Sequence, residues 1–292
     1  MRIQADCLPC LMKRMLFQTR LVGAADERGI MGICLRSLSD AYSPELRSVD
    51  VASDVHRDCY DALGNDDPYL ELKERSDAIA AGLVPAAEQM VSGSDDSLRT
   101  ALGVCAAGNI MDFGPGIAID DPSEFLELFS ELACQGFGKD DTEVLRDLLL
   151  DEGPVVYVFD NCGECQLDRV LIRLLRSQGK RVVGVVRELP ILNDVSLRDV
   201  ERTGIGDDLD AVYGTGRFFV GVDMASIPEG LRREMEGACV IIAKGMGNYE
   251  SLSDDILSAP IVHVLRAKCL PVASSIGVPV GTNVVLARMP GE

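Results

Sequence analysis

Six short apolar runs, rich in β-branched residues, occupy the second half of the chain and constrain its fold more than any other feature. They are the segments 155–159, 182–186, 209–213, 239–242, 261–265 and 283–286. Apolar runs without alternation indicate strands buried on both faces, as in a parallel sheet. Between the first two runs, segment 164–177 repeats leucine and valine at helical spacing. The pattern predicts a βαβ unit and, more broadly, a Rossmann-like three-layer α/β/α core with a mainly parallel sheet.

The first half of the chain has helical periodicity instead. Leu8, Leu11 and Met15 share one apolar stripe, with Pro9 in its first turn. Further periodic segments are 26–41, 48–63, 69–90, 95–111, 124–134 and 143–150. We therefore expect an N-terminal all-helical domain, residues 1–95, and a Rossmann-like α/β domain, residues 96–292, with the helices of 96–150 packing at the boundary.

The charge of the chain limits the classes of partner. The 292 residues carry a formal net charge of −19 at pH 7. Such an acidic surface repels the phosphates of nucleic acids and of anionic membranes, so we expect neither as a partner. No window offers the roughly 18 consecutive apolar residues of a membrane-spanning helix, and residues 1–6 lack a signal-peptide profile. We expect a cytoplasmic protein, and the sequence predicts no particular oligomeric state.

Polar side chains follow several of the predicted strands at the point where each strand ends. Asp160 and Asn161 come directly after the first run, Asp194 follows the second by a short loop, and Lys244 and Lys268 follow the fourth and fifth. Because ligands of open α/β sheets bind at the carboxyl ends of the strands, we expect these side chains to converge. Carboxylate and amide oxygens suit a hard divalent cation, and ammonium groups suit an anion. The sequence thus predicts a metal site beside a phosphate site.

Simpler explanations exist for individual residues. A lone aspartate after a strand is more often a helix cap or a turn former than a ligand. Arg187 and Glu188, which follow the second run, are able to pair with each other at the surface. Asn109 ends a predicted helix, where it either supports the following turn together with Asp112 or reaches the cleft and helps to hold substrate.

Two C-x-x-C pairs allow other chemistry. Cys7 and Cys10 are able to join His56 and Cys59 in a zinc site, although small buried core residues on amphipathic helices are the simpler explanation. The second pair, at 162 and 165, resembles a redox motif at a helix N-terminus. Its position inside the segment that begins with Asp160 and Asn161 favours a structural role.

Several motifs resemble those of the damage-control phosphatases, long filed as domain of unknown function 89, and the likeness covers nearly the whole chain. In the α/β half the motifs are Asp160–Asp168, Lys244–Glu250 and Ala267–Cys269. In the helical half, motifs of the family's microbial branch are Cys7–Cys10, Asp67–Lys73 and Ala107–Asp112. Within the second of these, Glu71 and Lys73 suit either a surface pair or a contact between domains.

The resemblance implies a divalent metal, Mn²⁺, Co²⁺, Ni²⁺ or Mg²⁺, and hydrolysis of small phosphomonoesters. The implied substrates are sugar phosphates or damaged phosphometabolites such as phosphopantetheine derivatives. By the same resemblance, the metal ligands are Asp160, Asn161 and Asp194, and the residues expected to act in catalysis are these three and Lys244. The residues expected to contact substrate are Asn109, Glu164, Gly245, Asn248, Glu250 and Lys268.

Three other functions compete with this hypothesis. A haloacid-dehalogenase-type phosphatase also has an aspartate after its first strand, but it needs a second one where this chain has Cys162. An S-adenosylmethionine-dependent carboxyl methyltransferase usually has a glycine-rich turn where this chain has Asp160 and Asn161. A non-catalytic metal- or metabolite-binding protein is the third alternative.

Overall fold

A sheet of seven strands runs through the computed structural model, which describes residues 1–111 and 124–291. The strands are β1 (Lys139–Asp140), β2 (Val155–Val158), β3 (Val182–Val186), β4 (Ala211–Gly214), β5 (Val240–Lys244), β6 (Ile261–Ala267) and β7 (Thr282–Arg288). Their spatial order is β1-β7-β6-β5-β2-β3-β4. Neighbouring strands are parallel except for the antiparallel pair β6 and β7. The mainly parallel sheet predicted from the apolar runs is confirmed.

Helices surround the sheet. In the described residues they are α1 (Cys7–Leu21), α2 (Glu27–Ala41), α3 (Ser48–Leu63), α4 (Leu70–Ser92), α5 (Ser97–Gly108), α6 (Phe125–Ala133), α7 (Thr142–Leu148), α8 (Glu164–Ser177), α9 (Asp199–Thr203), α10 (Glu229–Glu236), α11 (Gly245–Leu252) and α12 (Leu270–Ile276). None of the described helices is both long and apolar enough to cross a membrane.

The three layers follow from the alternation of side chains along the strands. In β2, Val155 and Tyr157 pack in one core with the leucines of α8, whereas Val156 and Val158 pack in a second core with Leu231 of α10. Every residue of β2, β3 and β5 is buried, because helices cover both faces. The predicted α/β/α core is confirmed.

The first three helices have an apolar core of their own. Leu11 and Met15 of α1 pack there with Cys34 of α2 and with Val55 and Cys59 of α3. Helix α3 also contacts α11, which follows β5, so this bundle lies against the carboxyl edge of the sheet. The predicted boundary at residue 95 falls between α4 and α5, and both of these helices pack on α8. The division into two domains therefore stays a prediction.

Strand β1 was not predicted. Lys139 and Asp140 are exposed and pair with Val284 and Val285 of β7. Two polar residues offer no apolar run, so only the partner strand reveals this one.

The sheet has its topological switch point between β2 and β5. The chain proceeds from β2 to β3 on one side and later returns to place β5 on the other. The crevice outside such a point is where open α/β sheets bind ligands. Asp160 follows β2 and Gly245 follows β5 at this crevice.

Candidate active site

The three residues predicted to hold a metal lie side by side. Asn161 and Asp194 face each other in a short antiparallel bridge. The backbone amide of Val195 donates to the carbonyl of Asp160 at 2.8 Å, and that of Cys162 donates to Asn193 at 2.8 Å. Backbone hydrogen bonds thus join the loop after β2 to the loop after β3. Metal binding by Asp160, Asn161 and Asp194 stays a prediction, but their convergence is observed.

A buried guanidinium joins the two aspartates. Arg187 Nε donates to Asp194 Oδ2 at 2.7 Å, and Arg187 Nη2 lies 3.6 Å from Asp160 Oδ1. Its Nη1 donates to Asn248 Oδ1 at 2.9 Å. The surface pair of Arg187 with Glu188, which the sequence allowed, does not form. The Arg187 side chain is fully buried, and the Glu188 carboxylate accepts a hydrogen bond from the backbone amide of Gly216, after β4. Sequence reasoning missed the importance of Arg187, although an arginine directly after a buried strand was a usable signal.

Two asparagine amides orient the carboxylates. Asn109 Nδ2 donates to Asp160 Oδ2 at 3.0 Å and to Glu164 Oε2 at 2.9 Å. Asn161 Nδ2 donates to the same two oxygens at 2.8 and 2.9 Å. Since both protons of the Asn161 amide point at carboxylates, its amide oxygen is the atom left to bind a cation. Asn109 therefore acts on the site through the carboxylates. Asp112, predicted beside it, lies outside the described residues.

Lys244 and Glu164 lie beneath the site rather than in the cleft. The Lys244 ammonium is fully buried and donates to Glu164 Oε1, to Asp168 Oδ1 at 2.8 Å and to the carbonyl of Cys105 at 3.2 Å. Glu164 has both oxygens bonded to protein groups. This placement does not support the catalytic role expected of Lys244 or the substrate contact expected of Glu164, because the two side chains form a buried ion pair and neither lines the cleft. Lys244 shares the phase of Ile242, which faces α8, and so its side chain meets that helix.

Gly245 and Asn248 fix the loop after β5. A Cβ added at Gly245 would overlap the Asp160 carboxylate, and Gly245 has φ +75°, a conformation that only glycine adopts freely. Asn248 Nδ2 donates to the carbonyls of Phe159 at 2.9 Å and Lys244 at 2.6 Å. Asn248 is fully buried, which differs from the direct substrate contact expected of it. Both residues position Asp160 and its neighbours.

A cleft of about 400 Å³ opens beside the aspartates. Lys268, Glu250 and Gly247 line it together with Asp160, Asn161 and Asp194. Lys268 Nζ donates to the carbonyl of Asn109 at 2.8 Å, next to the asparagine that holds Asp160. The opposite wall comes from the N-terminal bundle, through residues such as Arg14 of α1 and Val49 and His56 of α3.

Glu250 belongs to the wall of this cleft. Its carboxylate accepts a hydrogen bond from the Ser48 hydroxyl, and burial raises its pKa. Its contact with substrate stays a prediction. A larger depression of about 840 Å³, lined by Tyr60 and Phe218 among others, contains none of the predicted site residues.

Negative charge exceeds positive charge at the sheet edge. Burial raises the pKa of Asp160 well above its usual value, and the carboxylates of Asp194 and Glu164 raise it further, whereas Lys268 and Arg187 lower it. Burial also raises the pKa of Asp168, beneath the site, to about 6. An ion of positive charge relieves the repulsion between neighbouring buried carboxylates.

A hard divalent cation therefore fits this donor set. The set consists of two carboxylates and one amide oxygen, which are the ligand types of Mg²⁺ and Mn²⁺. Within residues 1–111 and 124–291, no three His, Cys, Asp or Glu side chains are grouped so that they could hold a metal ion. The predicted set takes its third oxygen from Asn161 and water from the cleft would complete it.

The alternative zinc site is not assembled. His56 Nδ1 lies 3.1 Å from Gln18 Oε1, Cys59 hydrogen bonds with Cys34, and Cys10 is exposed. Cys162 and Cys165 are both free and buried, and burial raises the pKa of each thiol well above its usual value. A redox role for that pair is disfavoured, because thiolate is the reactive form.

Comparisons with known proteins agree on one family. A model of the damage-control phosphatase ARMT1-like domain matches residues 3–284. A damage-control phosphatase of Archaeoglobus fulgidus is 35% identical over 288 residues, which cover 97% of this chain and 98% of that protein. A damage-control phosphatase of Pyrococcus horikoshii is 30% identical over 292 residues, with 98% of each chain covered.

A solved structure is also similar. The crystal structure of a protein of the domain-of-unknown-function-89 family from Pyrococcus horikoshii superimposes with a TM-score of 0.86 at 28% identity, and all of both chains is covered.

The close approach of Gly245 to Asp160 makes a testable prediction. Replacing Gly245 by alanine strains the backbone and displaces the carboxylate, so we expect Gly245→Ala to lose about 3 kcal/mol of unfolding free energy. Gly247→Ala is the matched control, because its Cβ would meet Val220 Cγ1 at 3.3 Å, the backbone nitrogen of Gly221 at 3.9 Å and Asp160 Oδ1 at 4.0 Å, all without overlap. We expect that control to change stability by less than about 1 kcal/mol. Urea unfolding measures both, and equal stabilities would contradict the packing described.

Proposed function

Because this chain belongs to the damage-control phosphatase ARMT1-like domain family, we propose that it hydrolyses small phosphomonoesters with a divalent metal held by Asp160, Asn161 and Asp194. Family membership supports the phosphatase activity. The observation that carries the metal site is the convergence of these three side chains in a buried, electronegative cleft. The same membership favours phosphatase over methyltransferase or non-catalytic binding protein.

The size of the cleft supports a small substrate. Its volume of about 400 Å³ is near the lower end of the range of about 300–1,000 Å³ for small-molecule pockets. We propose sugar phosphates or damaged phosphometabolites such as phosphopantetheine derivatives as the substrate class. The phosphoryl group would lie at the aspartates, and the leaving group would lie against the wall formed by α1 and α3.

A divalent cation, when bound, supplies Lewis-acid polarisation of the phosphorus–oxygen bonds and is Mn²⁺, Co²⁺, Ni²⁺ or Mg²⁺ in this proposal. Lys268, which lines the cleft, places its ammonium where it neutralises charge that develops on the phosphoryl oxygens. Asp194 also lines the cleft and is the carboxylate that we propose to orient the attacking water. Glu164 is poorly placed for that role, because both of its oxygens are engaged below the site.

The metal proposal is tested with Asp160→Asn. This substitution removes one anionic ligand with little change in shape, so we expect turnover of p-nitrophenyl phosphate with Mn²⁺, Co²⁺, Ni²⁺ or Mg²⁺ to fall by about 100-fold or more. Chelator should abolish wild-type activity, and added metal should restore it. Asp66→Asn, at an exposed carboxylate paired with Arg198, is the control and should behave as wild type. Undiminished turnover of Asp160→Asn without metal would rule the proposal out.

The different positions of two lysines predict different phenotypes. Lys268→Met removes a half-buried charge in the cleft, so we expect kcat/KM to fall about 100-fold while the unfolding temperature changes little. Lys244→Met leaves the buried carboxylates of Glu164 and Asp168 without their cation. We expect it to cost about 3–5 kcal/mol of stability. Full activity in Lys268→Met, at saturating metal, would contradict its role.

A further inference from the structure

Five charged residues form a network behind the metal-binding loops. Asp67, Lys73 and Asp77 come from the helical half of the chain, and Asp199 and Arg202 come from α9. Lys73 is fully buried, and Asp77 and Asp199 are nearly so. We call these five residues the bridging network. None of the five, all within the described residues, lines the cleft.

One end of the bridging network holds the loop after β2. Asp77 Oδ1 accepts a hydrogen bond from the backbone amide of Gly163 at 2.5 Å. Gly163 lies two residues after Asn161, at φ +82°. A Cβ at Gly163 would lie 2.9 Å from Ser76 Cβ, so α4 approaches this backbone as closely as a glycine allows.

The other end holds the loop after β3. Asp199 Oδ2 accepts from the amide of Ser196 at 2.9 Å and from its hydroxyl at 2.6 Å. Ser196 lies two residues after Asp194, and its backbone pairs with Arg187. Each metal-binding loop thus has a carboxylate bonded to the backbone two residues beyond its predicted ligand.

Cations join the two ends. Arg202 Nη1 donates to Asp77, and its Nη2 donates to Asp199 Oδ1 at 2.6 Å. Lys73 Nζ donates to Asp67 at 3.1 Å and to Asp199 at 3.4 Å. The pairing of Lys73 with Glu71 at the surface, which the sequence allowed, is therefore replaced by a contact between the helical half and the α/β half.

We propose that the bridging network is a positioning device that holds the two metal-binding loops at the separation one cation requires. The proposal rests on the proposed function, since it assumes that Asp160, Asn161 and Asp194 bind the metal. A metal site tolerates little displacement of its ligands, and residues that support ligands from behind commonly change metal affinity by about 10–100-fold. Helix α4 is then part of the metal site although it contributes no ligand.

Arg202→Met tests the bridge. The substitution keeps much of the side-chain volume and removes both ion pairs. We expect the dissociation constant for Mn²⁺, measured by calorimetry, to rise about 10–100-fold. We expect kcat with p-nitrophenyl phosphate to fall more than KM rises. Arg198→Met is the matched control on the neighbouring turn, because the Arg198 side chain is exposed and forms an exposed ion pair with Asp66.

A second readout needs no metal. In metal-free protein, hydrogen exchange at the amides of Gly163 and Ser196 should become faster in Arg202→Met than in wild type or in Arg198→Met. Asp77→Asn keeps an oxygen acceptor but loses the charge, so we expect a smaller increase in these exchange rates. This variant replaces Arg202→Met in the test if Arg202→Met does not fold. Arg202→Lys should recover part of the Mn²⁺ affinity.

The outcomes separate the two proposals. Unchanged exchange at both amides, or unchanged Mn²⁺ affinity in folded Arg202→Met or Asp77→Asn, would overturn the positioning role. A wild-type protein that binds no Mn²⁺, Co²⁺, Ni²⁺ or Mg²⁺ would instead overturn the proposed function.

Discussion

The site depends on one buried guanidinium between two buried carboxylates. Asp160 and Asp194 come from loops after different strands, and without compensation they would repel each other in a medium that screens charge poorly. Arg187 bonds to Asp194, lies near Asp160 and is itself held by Asn248. Its single charge lies between the two loops but does not balance both aspartates, and a further cation would reduce the repulsion that remains.

Three parts of the fold position these charges: the sheet edge, the helix α8 below it and the N-terminal bundle above it. The switch point between β2 and β5 opens the crevice, and Gly245 allows Asp160 to approach the loop after β5. Below the crevice, Lys244 pairs with Glu164 and Asp168, which lets α8 begin under the site without leaving unpaired buried charge. Above it, the N-terminal bundle closes the cleft. The charges that stabilise this edge of the sheet are thus the same charges that line the confined space of the cleft.

The sequence predicted those features that follow from period and strand order. The apolar runs predicted the sheet, and successive parallel strands predicted that Asp160, Asn161 and Asp194 meet. The direction of side chains was harder to predict from the sequence. Lys244 lies on the same face of β5 as Ile242, so its side chain points to α8 and not to the cleft. The burial of the Arg187 side chain depends on tertiary packing, which no local sequence pattern indicates. The same holds for the hydrogen bond between Asp77 and Gly163, which are 86 residues apart in the chain. Polar strand β1 lacked any apolar signal.

We propose that one cation binds Asp160, Asn161 and Asp194 together. Anomalous diffraction from crystals grown with Mn²⁺ is the decisive experiment. We expect one strong manganese peak in the cleft, coordinated by a carboxylate oxygen of each aspartate and by the amide oxygen of Asn161. Manganese bound elsewhere, with Asp160 and Asp194 still bridged only by Arg187, would contradict it.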